Sequence, residues 1–482
     1  MGNGETMRRK YATGLLLAAV VLAAAACRKD TTTDTQAVES GTESSAVAST
    51  EVITVPAKPE TETTGEKPTA PSEEGGEGGY DWEKTAIIAT DIHYLSRELT
   101  DYGSGFQYMV DHGDGKVMTY VEPIVDAFIA EVIAARPDLL ILTGDLTYNG
   151  EMLSHKELAA KLYDVEKSGI PVLVIPGNHD ANNPSAAEFR NEDRLPAEKT
   201  TPGQFREIYQ DFGYNEALYQ DENSLSYIYQ VDEYNWLFML DSCLFYPNTH
   251  EEGSVHPETL KWIEEKLDEA WGEGVNVVMS AHHNLLDQSE VYAFNCTIET
   301  GEELTSILGE WGVRLFLSGH LHVQHHKEDE QNGVYEIVTS SLSTPRCQYG
   351  VLTFRDDSSF SYYTQAIDIE GWAKKNNRTE QDLLQFEEFK EPFLRKVFYN
   401  QAYDVLSKVT DLKDQEAVMM SEFYSDLNYH YYQGTAYLVA EEARQTKAYA
   451  MWDQYSADNM PAAYIEYILD DALGNYNMLE VE

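Results

Sequence analysis

Five short polar blocks stand in order along one stretch of the chain: Asp91 with His93, Asp145, Asn178 with His179, His282, and His320 with His322. Imidazole nitrogens combined with carboxylate and amide oxygens, without a thiolate, match borderline metals such as Fe, Mn, Zn or Co. Two such ions roughly 3.5–4 Å apart activate a water and clamp the attacking and leaving oxygens of an in-line phosphoryl displacement. The chemistry expected is hydrolysis in which a metal-bridging hydroxide, not a side chain, is the nucleophile.

Each block follows a run that reads as a buried strand: 85–90, 138–143, 171–175, 275–280 and 313–317. The polar groups thus fall at strand ends, where α/β folds place their sites. In Asp91-x-His93 and His320-x-His322, an extended chain points both side chains the same way by its period-2 alternation. Glycines before Asp145, Asn178 and His320 permit sharp turns and close backbone approach to a charged substrate. Helical periodicity covers 122–136, 154–168 and 257–270, and further strands are expected at 226–231, 236–241, 335–339, 350–354 and 360–366.

The set Asp91-x-His93, Gly144-Asp145, Gly177-Asn178-His179-Asp180, His282 and Gly319-His320-x-His322 resembles the calcineurin-like metallophosphoesterase superfamily over residues 84–365. Gly144-Asp145-Leu146-Thr147 with Gly177-Asn178-His179-Asp180 is more similar to class III cyclic-nucleotide phosphodiesterases and purple-acid-type enzymes than to protein phosphatases. The resemblance implies an α/β fold of two mixed β-sheets flanked by helices. It implies one metal on Asp91, His93, Asp145 and His322, another on Asp145, Asn178, His282 and His320, and His179 as a catalytic residue that stabilises the phosphoryl group or protonates the leaving alkoxide. Where the family often has His-Pro, this chain has His282-His283-Asn284; distance from the strand end assigns the ligand to His282, with His283 the competing choice. Singly, each motif also reads as ordinary turn chemistry. The joint occurrence of all five points to the metal site. His155, His250, His325 and His326 read as surface or loop residues.

Met7-Arg8-Arg9-Lys10, the apolar stretch 15–26 and Ala24-Ala25-Ala26 before Cys27 resemble a bacterial lipoprotein signal. That implies a signal peptide over 1–26, lipid on Cys27 and an extracytoplasmic, membrane-anchored protein; without lipidation the protein is secreted. The apolar run is shorter than the about 20 residues of a spanning helix. Residues 27–80, rich in Thr, Glu, Ser, Pro and Gly, read as a disordered tether. With 34 Lys plus Arg against 83 Asp plus Glu and a net charge of -49, the chain opposes polymeric nucleic acid and anionic lipid surfaces, so the anchor alone is expected to meet the membrane. Cys243, Cys296 and Cys347 permit at most one disulfide and stand apart from the ligand set.

Residues 81–368 are expected to form the metallophosphoesterase domain, and 369–482 an all-helical C-terminal domain, with Thr379 and Asp382 making a helix start and Pro392 and Pro461 marking others. Substrate contacts are expected from insertions: 94–120 with Arg97 and Lys116, 285–300, and 340–349 with Arg346. The reading is a two-metal hydrolase (divalent or trivalent Fe, Mn, Zn or Co) of small phosphate esters, with cyclic-nucleotide-like diesters as the leading substrate. A broad phosphomonoesterase and a non-catalytic surface binding protein are the alternatives.

Overall fold

A computed structural model describes residues 83–288, 296–355, 358–409, 411–454 and 460–482. The signal segment, Cys27 and the tether lie outside the described residues. Strands β1 (Glu83–Ala89), β2 (Leu139–Thr143) and β3 (Val172–Ile175) run parallel at the start of a six-stranded sheet. β2 and β3 are buried along their whole length, the pattern of strands covered on both faces. A hairpin of β4 (Ala187–Arg190) and β5 (Asp193–Pro196) stands apart.

The second sheet holds β6 (Tyr219–Gln220), β7 (Tyr227–Gln230), β8 (Asn235–Met239), β9 (Asn276–Ser280), β10 (Leu315–Ser318), β11 (His325–Asp329) and β12 (Val334–Val338), ordered β11-β12-β10-β9-β8-β7-β6. β13 (Gln348–Arg355), β14 (Phe360–Ala366) and β15 (Met478–Val481) return to the first sheet, ordered β15-β14-β13-β1-β2-β3. Both sheets are mixed, as the α/β reading requires.

Side-chain alternation makes the two sheets a sandwich. Leu237, Met239, Val278, Leu315 and Leu317 point into one core with Ile87, Leu140 and Leu173 of the first sheet. Their neighbours Trp236, Phe238, Met279 and Phe316 point the other way, under helices Pro257–Glu273 and Gly301–Glu310. Such period-2 partition is what a strand covered on both faces produces.

Beyond β14 the chain is mainly helical, with its own core around Leu394, Phe398, Met420, Leu427, Trp452 and Ile465. It closes with β15, which pairs antiparallel with β14. Several local expectations are corrected. Pro392 lies inside helix Phe386–Leu406, not at a start; it is exposed, so the carbonyl it leaves unbonded faces water. The short helix after Thr379 is Gln381–Leu384, with Glu380 at the N-cap position and no side-chain capping bond. His155 is fully buried, held by Thr147 Oγ1 and the Asp180 carbonyl, each near its Nε2, and by Tyr209 OH near its Nδ1. His325 is buried between Gln288 and Asp471, each 2.7 Å away, although the β11–β12 hairpin itself is present. Among the described residues no helix is long and apolar enough to cross a membrane.

Candidate metal centre

The loops after β1, β2, β3, β9 and β10 meet at one edge of the sandwich, so both sheets contribute side chains. After β1 the chain tracks the extension of β2: Asp91 N donates to the Gly144 carbonyl and His93 N to that of Asp145. The backbone here is not extended. Asp91, His93, Asp145, His320 and His322 all have positive φ, between 48° and 70°. Paired side chains therefore converge through left-handed turns and not through strand alternation. Non-glycine residues reach this region at a cost and keep it where surrounding structure enforces it, often at functional sites.

The enforcement is visible. Ser341 Oγ and Ser343 Oγ donate to the Asp91 carbonyl, while Thr90 Oγ1 and His320 N donate to Asp91 Oδ2. Asp91 Oδ1, buried and accepting no hydrogen bond, is left 3.2 Å from His322 Nε2 and 3.7 Å from His93 Nε2. Gly177 is required by proximity: a Cβ there would overlap Asp145 N and Oδ1, so the close approach is to Asp145. Asp180 closes the same turn, its carboxylate accepting N–H from Gly177, Leu146 and Thr147 at 2.9–3.0 Å.

Asp145 stands at the centre. His179 N donates to its Oδ1 at 2.8 Å, and its Oδ2 lies 3.7 Å from His93 Nε2 and 3.4 Å from His282 Nε2. Two groups of ligand atoms result, each within 4.8 Å: Asp91, His93, Asp145 and His322, and Asp145, His282 and His320. Asn178 Oδ1 joins the second group, 3.1 Å from His282 Nε2. His282 Nδ1 donates to the Thr143 carbonyl, which turns its Nε2 lone pair inward.

Electrostatics fit cation binding. Burial works against charge on Asp91 and Asp145, yet the surrounding imidazoles hold both carboxyls well below their ordinary range. Burial pushes His93 and His320 down to about 3, leaving neutral imidazoles. On His282 burial also opposes charge, but Asp145 and Asp91 override it and raise the ring to about 9. Neutral rings on His93 and His320, ionised carboxylates and an oxygen with no donor match the state in which such side chains hold a divalent metal, and a cation beside Asp145 would displace the proton that His282 otherwise takes up.

His179 sits at the rim, its Nε2 3.9 Å from Asp145 Oδ2 and its Nδ1 donating to the Tyr148 carbonyl at 2.8 Å. Arg97 is exposed and paired with Glu122. Arg346 is half-buried in the turn between β12 and β13, with no hydrogen bond or ion pair among the described residues. Cys243, Cys296 and Cys347 are free thiols. The sequence reading missed Asp114, whose Oδ2 lies 3.6 Å from His322 Nδ1. It comes from the 94–120 insertion, and nothing in its local sequence marks it.

Residues 85–324 match the family model described as calcineurin-like phosphoesterase, and residues 368–475 match the C-terminal domain of cyclic nucleotide phosphodiesterase. A protein named "Probable cyclic nucleotide phosphodiesterase" from Vesicomyosocius okutanii is 46% identical over 52 residues, 11% of this chain and 21% of that protein. "Probable glycerophosphodiester phosphodiesterase GpdQ" from Arcobacter nitrofigilis is 27% identical over 191 residues, 39% of this chain and 57% of that protein. The chain thus spans from about a fifth to little more than half the length of these relatives. Among solved structures, a dimetal phosphatase from Danio rerio aligns with TM-score 0.42 at 12% identity, covering 58% of this chain and 95% of that one. A purple acid phosphatase from yellow lupin aligns with TM-score 0.40 at 14% identity, covering 59% of this chain and 52% of that one.

Proposed function

Because residues 85–324 are a calcineurin-like phosphoesterase domain joined to a C-terminal domain of the cyclic nucleotide phosphodiesterase type, we propose that this protein is a metal-dependent phosphoric ester hydrolase acting on small phosphodiesters such as cyclic nucleotides. The observation that carries the reading is the Asp145 carboxylate, shared between two groups of ligand atoms. Asp91, His93, Asp145 and His322 would hold one cation; Asp145, Asn178, His282 and His320 would hold a second. Bound divalent cations supply Lewis acidity toward phosphoryl oxygens and lower the pKa of a coordinated water.

The chain's own residues complete the site. The Tyr148 carbonyl fixes the proton of His179 on Nδ1, so its Nε2 faces the cluster. As imidazolium, Nε2–H donates to a phosphoryl or leaving-group oxygen; as the neutral ring it accepts. Asp180 and Gly177 hold the turn that keeps Asn178 and His179 beside Asp145.

The test is one plate. Manganese-loaded protein is assayed with bis-p-nitrophenyl phosphate, p-nitrophenyl phosphate and 3′,5′-cyclic AMP, before and after chelation. Diester turnover that chelator abolishes and manganese restores supports the proposal. Turnover of the monoester alone moves it to a phosphomonoesterase, and inertness toward all three makes the domain a binding scaffold. For location, we propose export and lipid attachment at Cys27; Cys27→Ala should release the protein from the membrane fraction.

A further inference from the structure

We propose that Lys116 is a phosphate-binding residue of this site, carried to the ligand cluster by an insertion that the helical C-terminal region holds in place. The inference rests on the phosphoester reading above and adds a substrate contact from outside the five motifs.

Lys116 is only 6% exposed, and among the described residues its ammonium has one partner, Asp114 Oδ2 at 2.9 Å. The same Asp114 oxygen lies 3.6 Å from His322 Nδ1, so the lysine and a ligand histidine share one carboxylate. On the other side, Val117 N donates to the Ser343 carbonyl, and Ser343 Oγ donates to the Asp91 carbonyl. Lys116 is thereby fixed between supports of two ligands, Asp91 and His322.

A buried ammonium with three donors and one carboxylate has capacity left over. Beside the ligand cluster, that remaining capacity suits the oxygens of a phosphoryl group. Lysine serves such groups as a point charge, without the planar geometry that arginine needs.

Helix Phe386–Leu406 supplies the clamp. A Cβ on Gly115, at φ 96°, would overlap Leu394 Cδ1; Gln401 Nε2 donates to the Gly113 carbonyl, Asn400 Nδ2 to that of Asp111, and Lys396 pairs with Asp111 at 2.9 Å. The insertion that carries Asp114 and Lys116 is therefore pinned by the C-terminal region and not by the sandwich alone.

The test compares the full chain with Lys116→Met, Lys116→Gln and Lys116→Arg, all manganese-loaded. Inorganic phosphate affinity is measured by calorimetry, metal content by plasma mass spectrometry and KM with bis-p-nitrophenyl phosphate. Loss of one charge-assisted contact should weaken phosphate at least about tenfold and raise KM similarly in the Met and Gln variants. Metal content should be unchanged, and Arg should restore most of the affinity. Phosphate affinity within about twofold of native in the variant that folds overturns the proposal. So does a loss of metal that accounts for the loss of phosphate, or a native protein that does not bind phosphate. If the native protein turns over no ester yet binds phosphate through Lys116, the hydrolase reading falls and this assignment stands.

Discussion

His282 Nε2 lies 3.4 Å from Asp145 Oδ2, while the next residue, His283, turns its ring away to Ser242 Oγ at 2.8 Å and the Glu251 carbonyl at 3.2 Å. Adjacent histidines thus have separate tasks: one faces the cluster, and the other ties the 242–251 loop to β9. His282→Ala should lower the metal content of purified, manganese-supplemented protein. His283→Ala should retain metal but melt earlier, because removing it strands the buried Ser242 hydroxyl at a cost of about 1–3 kcal/mol. Metal loss from the His283 variant alone, read by mass spectrometry, would reverse the ligand assignment.

His179 offers a cleaner separation of chemistry from metal binding. It meets Asp145 through its backbone N–H, which substitution leaves in place, while its ring faces the cluster from the rim. His179→Asn should cut kcat by about 10²–10⁴, the usual yield of a positioned proton donor or acceptor, with metal content unchanged. If metal and activity fall together, His179 supports the ligands and does not act on the substrate.

Glu151 gives a pH dependence outside the ligand set. It is fully buried, accepts N–H from Asn149 at 2.9 Å and Ala187 at 3.1 Å, and burial pushes its carboxyl up to about 7 from an ordinary 4.5. Between those values the folded chain keeps a proton that the unfolded chain has released. Stability therefore falls as pH rises through that window, and the deficit is constant above it. Glu151→Gln has a fixed cost but no such slope, so its melting temperature should gain on native between pH 5 and 7.5. Parallel curves for the two proteins would contradict the raised value.

The ligand blocks were legible because each ends a short apolar run, and apolar runs of that length announce buried strands. The way those blocks are shaped was not. Nothing in Asp91-x-His93 signals left-handed backbone, which Ser341, Ser343 and Gly144 impose from distant segments. Buried histidines were missed for a related reason: His155 and His325 are satisfied by Tyr209 and Asp471, partners that only the fold brings near. Asp114 was hidden likewise, since its place beside His322 depends on an insertion pinned by a helix far along the chain. Local pattern reports what a segment buries, and it is silent on what comes to meet it.

Arg346 is the remaining candidate from sequence, and its surroundings make it testable. Its turn follows Ser341 and Ser343, which hold the Asp91 carbonyl, and is closed by Cys347 N donating to the Thr344 carbonyl. The guanidinium is half-buried and has no hydrogen bond or ion pair among the described residues, so its removal breaks none there. Arg346→Ala should leave melting temperature and metal content at native values. If the guanidinium reaches a substrate phosphate, KM for bis-p-nitrophenyl phosphate should rise about threefold or more, in the range of one solvent-screened charged contact. Arg346→Lys should recover only part of this, because an ammonium lacks the bidentate fork. Native KM and kcat in the alanine variant would place Arg346 outside the site and leave Lys116 as the cation offered by the insertions.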